Sequence, residues 1–115
     1  MKRPINSLMD ILESIHRIES YLLNVGYEDF LSNQMLLDAV VRNLEIIGEA
    51  ARNINDEIKR KYQEVPWRNM IGLRNILIHE YFGIDESIIW EVSTRNLQEI
   101  KPIIMKAIQE VGDFT

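Results

Sequence analysis

Residues 33–61 read NQMLLDAVVRNLEIIGEAARNINDEIKRK, and the periodicity of this stretch decides the fold. Its apolar side chains fall at Met35, Leu36, Ala39, Val40, Leu44, Ile47, Ala50, Ala51, Ile54 and Ile58. Steps of three and four line one face of a helix and fit no alternating strand. The spacing predicts roughly five or more helical turns from about Asn33 to Lys61, with Asn53 or Asn55 as the point of interruption.

The same period extends in both directions. Upstream, Ile5, Leu8, Met9, Leu12, Ile15, Ile18 and Leu22 predict an amphipathic helix over residues 6–24, with Asn6 or Ser7 as its cap and Gly26 at its end. Tyr27 to Leu31 reads as a turn-like segment. Downstream, Pro66 suits the first turn of a helix running from Trp67 to about Tyr81, stopped by Gly83. Asp85 caps a fourth helix through Trp90 and Val92, and Leu97, Ile100, Ile103, Ile104, Ala107 and Ile108 close the chain in a last helix that Pro102 should kink or shorten. The expected fold class is all-α: an antiparallel bundle of four to five helices in one domain over residues 1–115. Gly48, Ala50, Ala51 and Gly72 lie inside these helices, where glycine costs about 1 kcal/mol against alanine. Close helix contact is the expected reason for them.

Composition fits one domain. The chain has 115 residues, 46% hydrophobic and 27% charged, enough for a real but modest core that gains from burial against a second copy, so a dimer is expected. No apolar run reaches the roughly 20 residues of a membrane span, and Met1-Lys2-Arg3-Pro4 leads into no signal segment, so the expected location is the cytoplasm. The absence of cysteine removes disulfides and thiolate ligands. His16 and His79 are the only imidazoles and lack a metal-binding spacing, so neither metal nor cofactor is expected.

Charge is unevenly placed. Lys59, Arg60, Lys61, Arg68 and Arg74 face one acid, Glu64, between residues 59 and 74, giving +4 in a chain of net charge -5 and leaving -9 elsewhere. The overall balance argues against coating nucleic acid by bulk electrostatics. Locally, Lys59, Arg60, Lys61 and Arg68 are candidate contacts to phosphate. The plainer reading of Lys59 to Lys61 is a helix end whose cations complement the dipole.

Beside them lies Arg74-Asn75-Ile76-Leu77-Ile78-His79-Glu80-Tyr81. Arginine is a permanent cation whose planar fork grips phosphate, and histidine exchanges protons near neutrality. On a helix Asn75 and His79 sit one turn apart on nearly one face, while Arg74 and His79 are about 140° apart and roughly 7.5 Å along the axis. Arg74 must therefore wrap round, or the helix loosen, or the two meet across a two-fold axis. Each residue alone has a plainer role. His79 would be a cap or core residue, Arg74 the partner of a carboxylate such as Glu49, Asn75 a backbone ligand and Tyr81 a half-buried aromatic. Their conjunction at fixed offsets favours chemistry on a phosphodiester.

The Arg-x4-His-x-Tyr pattern at Arg74, His79 and Tyr81, with polar Asn75 after the arginine, resembles the signature of the HEPN superfamily of helical ribonucleases. More narrowly, the chain is similar to HepT-type toxins of toxin–antitoxin pairs. Leu44-Glu45-Ile46-Ile47-Gly48-Glu49-Ala50, Pro66-Trp67-Arg68, Gly72-Leu73-Arg74-Asn75 and Trp90 carry the likeness over nearly the whole chain. Many relatives have methionine where Leu73 stands, a volume-conserving swap. The resemblance implies a HEPN-like homodimer with two motifs facing one cleft, and metal-independent cleavage of RNA as substrate. His79 would be general acid or base, Arg74 the electrostatic clamp and Asn75 the orienting group. It further implies a nucleotidyltransferase antitoxin of the MNT type that transfers AMP to Tyr81. A helical interaction module without catalysis is the rival expectation, as is a module that binds nucleotide or RNA without cutting.

Overall fold

A computed structural model describes residues 3–79 and 83–112. Its element order is α1 Pro4–Leu22, α2 Tyr27–Leu31, α3 Gln34–Arg52, α4 Asp56–Lys61, α5 Trp67–His79, α6 Glu86–Glu91, a π-helical turn Val92–Asn96, and α7 Leu97–Gly112. The protein is an all-α bundle. Its four long helices are α1, α3, α5 and α7, and the described residues contain no strand.

The periodic apolar faces become the core. Leu8, Ile11, Ile15 and Ile18 of α1 meet Val40, Leu44, Ile47 and Ala51 of α3, and Leu97, Ile100, Ile104 and Ala107 of α7 complete the cluster. Burying a leucine or isoleucine side chain stabilises by about 1.5–3 kcal/mol, so this shared interior holds the helices together. The central helix is α3, packed against α1 on one side and α5 on the other, while α7 lies against α1. The helix that carries the Arg74 cluster is therefore positioned chiefly by α3.

Several local expectations need correction. The first helix begins at Pro4, not residue 6: proline tolerates the first turn because it has no N–H to satisfy there, and Ser7 is buried rather than capping. It ends at Leu22, and Asn24 takes a left-handed φ of 61°, leaving Gly26 as the N-cap of α2. Residues 27–31 form a short helix, not merely a turn, because Phe30 is buried and its ring lies 5.2 Å from that of Trp90, with Tyr27 at 5.6 Å. The helix predicted over 33–61 is interrupted at Asn53 to Asn55, as expected, and forms two helices. Asn55 ends the continuity by accepting a hydrogen bond from the Ile58 N–H at 2.9 Å, which caps α4. Asn33 caps α3 in the same manner through the Leu36 N–H at 3.0 Å. Asp85 caps α6 as expected, accepting from the Ser87 N–H at 2.8 Å. Pro102 does not shorten α7, which runs from Leu97 to Gly112. One backbone hydrogen bond is lost there, and buried Ile100 and Ile104 hold the helix on either side of it. Of the two interior glycines, Gly48 meets the neighbouring helix closely, whereas a Cβ at Gly72 would meet nothing within 4 Å.

Two polar links tie the ends of the bundle. Tyr62, buried at the close of α4, donates its phenol to Glu110 of α7, and its carbonyl accepts from the Trp67 indole at 3.1 Å. Burial first, then the hydrogen bond to Glu110 and that carboxylate's charge, push the Tyr62 phenol up to about 12. Lys101 of α7 donates to both carboxylate oxygens of Glu19 on α1, each at 3.0 Å. Burial alone would raise the Glu19 carboxyl, but the hydrogen bonds from Lys101 and Gln98 and the charges of Lys101 and His16 outweigh it and hold it below its ordinary 4.5. A depressed carboxyl contributes stability that is present above its unfolded value and lost as pH falls through its folded value. Glu19→Gln is thus expected to cost about 1 kcal/mol or less in denaturant unfolding near neutrality. That difference should vanish as the pH drops through the acid range; a constant difference would show that the link contributes no charge-dependent stability.

Candidate nuclease site

The site is built on α5, launched by Pro66 and seated by Trp67. The Met70 N–H bonds the Pro66 carbonyl at 3.0 Å, and Trp67 and Leu77 are the buried side chains of the helix. Met70, Ile71 and Leu73 are partly buried against the core. A helix with so narrow a buried stripe keeps a broad face outside. On that face stand Arg68, Asn75, Ile76 and His79, all exposed.

Arg74 points the other way at its root, toward α3. A Cβ on Gly48 would lie 2.2 Å from the Arg74 Cβ and 2.7 Å from the Met70 carbonyl oxygen. Only a residue without a side chain permits that approach. The aliphatic stem of Arg74 therefore lies on the bare backbone of α3, and its side chain is 20% exposed. The guanidinium then turns outward. Its Nη2 lies 3.0 Å from the Glu49 Oε2, and its Nη1 donates to the Asn75 Oδ1 at 2.9 Å. The contact to Glu49 is an ion pair and that to Asn75 a hydrogen bond, and together they hold the fork, while the buried Nε–H has no partner among the described residues. The Glu49 Oε2 is likewise buried, with the Arg74 cation as its contact.

Within the protomer the Arg74 guanidinium reaches its sequence neighbour Asn75. The Asn75 amide draws the guanidinium toward its own face, and His79 stands one turn further along that face. No side-chain hydrogen bond joins His79 to either residue among the described residues. Between α1, α3 and α5 the Arg74 side chain borders a cavity of about 210 Å³, with Asp10, Arg42, Glu45 and Glu49 on its polar walls. The expected position of Tyr81 lies outside the described residues.

The basic candidates separate into two groups. Lys59 and Arg68 border one groove beside Trp67. Lys61 instead faces α7, 3.7 Å from the Glu110 Oε2 and 5.6 Å above the Tyr62 ring, while Arg60 is exposed beside it. Glu49 was legible as a carboxylate available to Arg74. The role of Gly48 in seating that arginine was not, because it depends on which residues of α3 and α5 face each other.

Known proteins share much of this sequence. A family description, "Ribonuclease HepT-like", matches residues 11–107. The chain is 47% identical over 94 residues to a Methanocaldococcus jannaschii protein named "Putative RNase MJ1380", covering 82% of this chain and 86% of that one. It is 43% identical over 94 residues to "Probable ribonuclease HepT" of Thermococcus cleftensis, with the same 82% and 86% coverage. A second M. jannaschii protein, "Putative RNase MJ1216", is 40% identical over 111 residues, or 96% of this chain and 92% of the relative. No solved structure matches the chain. A family match spanning most of the bundle, together with these relatives, shows that the chain belongs to the ribonuclease HepT-like family.

Proposed function

We propose that this protein is an endoribonuclease toxin that cuts RNA without a metal ion, from a cleft formed by two copies of a single domain. The observation that carries the reading is the arginine fork delivered by Asn75 to the exposed face on which His79 stands. The chemistry needs little else. The ribose 2′-hydroxyl gives its proton to the His79 imidazole as its oxygen bonds to phosphorus. The bond to the departing 5′-oxygen breaks, and an imidazolium returns a proton to that oxygen. Arg74 offers its terminal N–H groups that Asn75 does not engage to the phosphoryl oxygens as charge builds on them. Glu49 and Asn75 hold the fork in place, so little reorganisation accompanies the step.

The outer face of α5 supports a dimer. Ile76 is 46% exposed, and Gly72, one turn earlier, leaves open space beside it. An isoleucine next to a side-chain-free position is a surface that a second helix would cover. Apposing two such faces along a two-fold axis would set two Asn75–His79 edges in one cleft.

Regulation follows from the family's companion transferase. Transfer of AMP to Tyr81, two residues beyond His79, would place bulk and negative charge at the end of the strip that meets RNA. In cytoplasm shared with an MNT-type antitoxin the toxin is then silent. Co-expression with such a transferase is expected to give an AMP-sized mass increase and a protein that no longer cleaves RNA, and Tyr81→Phe should lose the adduct and regain cleavage. An adduct that survives in Tyr81→Phe would place the modification elsewhere.

One observation favours a second reading, in which the fold binds without cutting: the Glu49 carboxylate already neutralises Arg74. Binding of RNA without any turnover of it would favour that alternative.

A further inference from the structure

The geometry points to a second nucleotide subsite at the opposite end of α5, where Lys59 and Arg68 hold the same RNA strand away from the cut. This rests on the ribonuclease reading and gives its substrate a direction and a footprint. Arg68 and His79 are eleven residues apart on one continuous helix. At about 100° per residue they differ by only about 20° around the axis, and at 1.5 Å rise they stand about 16 Å apart. Asn75 lies between them on the same exposed strip. A strand laid along α5 from His79 would therefore arrive at Arg68. At about 3.4 Å per phosphate of a stacked strand that distance spans about five nucleotides, and fewer if the strand is extended.

What waits there is a groove of about 500 Å³ between the end of α4 and the start of α5. Pro66, Trp67 and Ile71 give it an apolar wall, Gln63 an amide, and Lys59 and Arg68 two cations. Such a lining suits a nucleotide: an apolar surface for the base, an amide for its edge and cations for the flanking phosphates. Six of the described cations have a carboxylate within ion-pair distance. Arg17, Arg42, Arg74, Arg95 and Lys101 are each paired with a carboxylate, and Lys61 is turned to Glu110. Lys59 and Arg68 have no acidic partner among the described residues. In a chain of net charge -5, cations left unpaired beside a groove are positioned for an external anion. Single-stranded RNA is the ligand because the groove is continuous with the strip that ends at the general acid–base, and a duplex would not offer its bases to an apolar wall.

The test compares a Lys59→Gln/Arg68→Gln variant with an Arg60→Gln/Lys61→Gln variant, which removes the same charge from outside the groove. The probe is a labelled twelve-nucleotide 2′-O-methyl oligouridylate, whose blocked 2′-oxygen prevents cleavage, measured at two salt concentrations. The groove variant is expected to bind about tenfold more weakly and to lose about 1.4 from the salt slope, since single strands contribute about 0.7 for each of the two phosphate contacts. The control should change affinity by no more than about threefold. On the unmodified twelve-nucleotide RNA, the groove variant should raise KM with kcat nearly unchanged, because the reacting atoms are elsewhere. Equal loss in both variants would reduce the effect to bulk charge and overturn the subsite, as would unchanged binding by the groove variant. Wild-type protein that binds the probe in this pattern yet cleaves no RNA would support the subsite and defeat the ribonuclease reading.

Discussion

Replacing His79 with alanine is expected to lower RNA cleavage by at least about 100-fold, the scale of a lost general acid–base group, while leaving the fold untouched. The residue is exposed, packs into no core and makes no side-chain hydrogen bond among the described residues. Its removal should therefore change stability by no more than about 0.5 kcal/mol. Arg74→Ala should be as damaging to cleavage, by about 100- to 1,000-fold, because in the proposed reaction its fork meets charge that develops only in the transition state. Arg74→Lys should rescue little, since a point charge cannot span both Glu49 and Asn75 and still present two donors. Initial rates on a labelled RNA, with circular dichroism as a folding control, check all three variants. Wild-type rates in folded His79→Ala would remove the imidazole from the chemistry.

The second large effect is expected far from any reacting atom. Gly48→Ala should gain about 1 kcal/mol of helix propensity, yet steric overlap decides the outcome. The added Cβ would sit 2.2 Å from the Arg74 Cβ and 2.7 Å from the Met70 carbonyl. Carbon atoms rest at about 3.5–4.0 Å, so α5 must retreat by more than an ångström, and a backbone carbonyl cannot swing aside. Overpacking of this kind costs about 1–3 kcal/mol, which cancels or exceeds the propensity gain. Arg74 would be carried away with the helix, and a misplacement of about 1 Å can cost about 100-fold in rate. We therefore expect Gly48→Ala to lose Tm and about two orders of magnitude of cleavage while staying helical. Gly72→Ala is the comparison, because a Cβ there meets nothing within 4 Å of the protomer. A Gly48→Ala protein with raised Tm and full activity would show that the close approach of α3 and α5 does not position the arginine.

These two expectations mark what the sequence does and does not disclose. Periodicity at Leu44, Ile47 and Ala51, and at Leu8, Ile15 and Ile18, was enough for an all-α bundle, because burial of one helical face is a local pattern with a global consequence. Element ends were harder. Asn55 could continue a helix or cap one, and only the turn of chain at Asn53 to Asn55 selects the cap. The π-helical turn at Val92–Asn96, with the Thr94 hydroxyl donating to the Trp90 carbonyl at 2.7 Å, has no local signature that periodicity detects. In the site, residue identities were legible and their connections were not. Asn75 and His79 share a face by helix geometry alone, but the reach of Arg74 depends on a tertiary register that sets Gly48 beneath its stem and Glu49 beside its head.

The most direct test of the account is the chemistry of the RNA ends left by the purified protein in the presence of EDTA. Attack by the 2′-hydroxyl on its own phosphate predicts continued cleavage under chelation, with a 2′,3′-cyclic phosphate on one product and a 5′-hydroxyl on the other. Cleavage that stops with EDTA, or that leaves 3′-hydroxyl and 5′-phosphate ends, would contradict it.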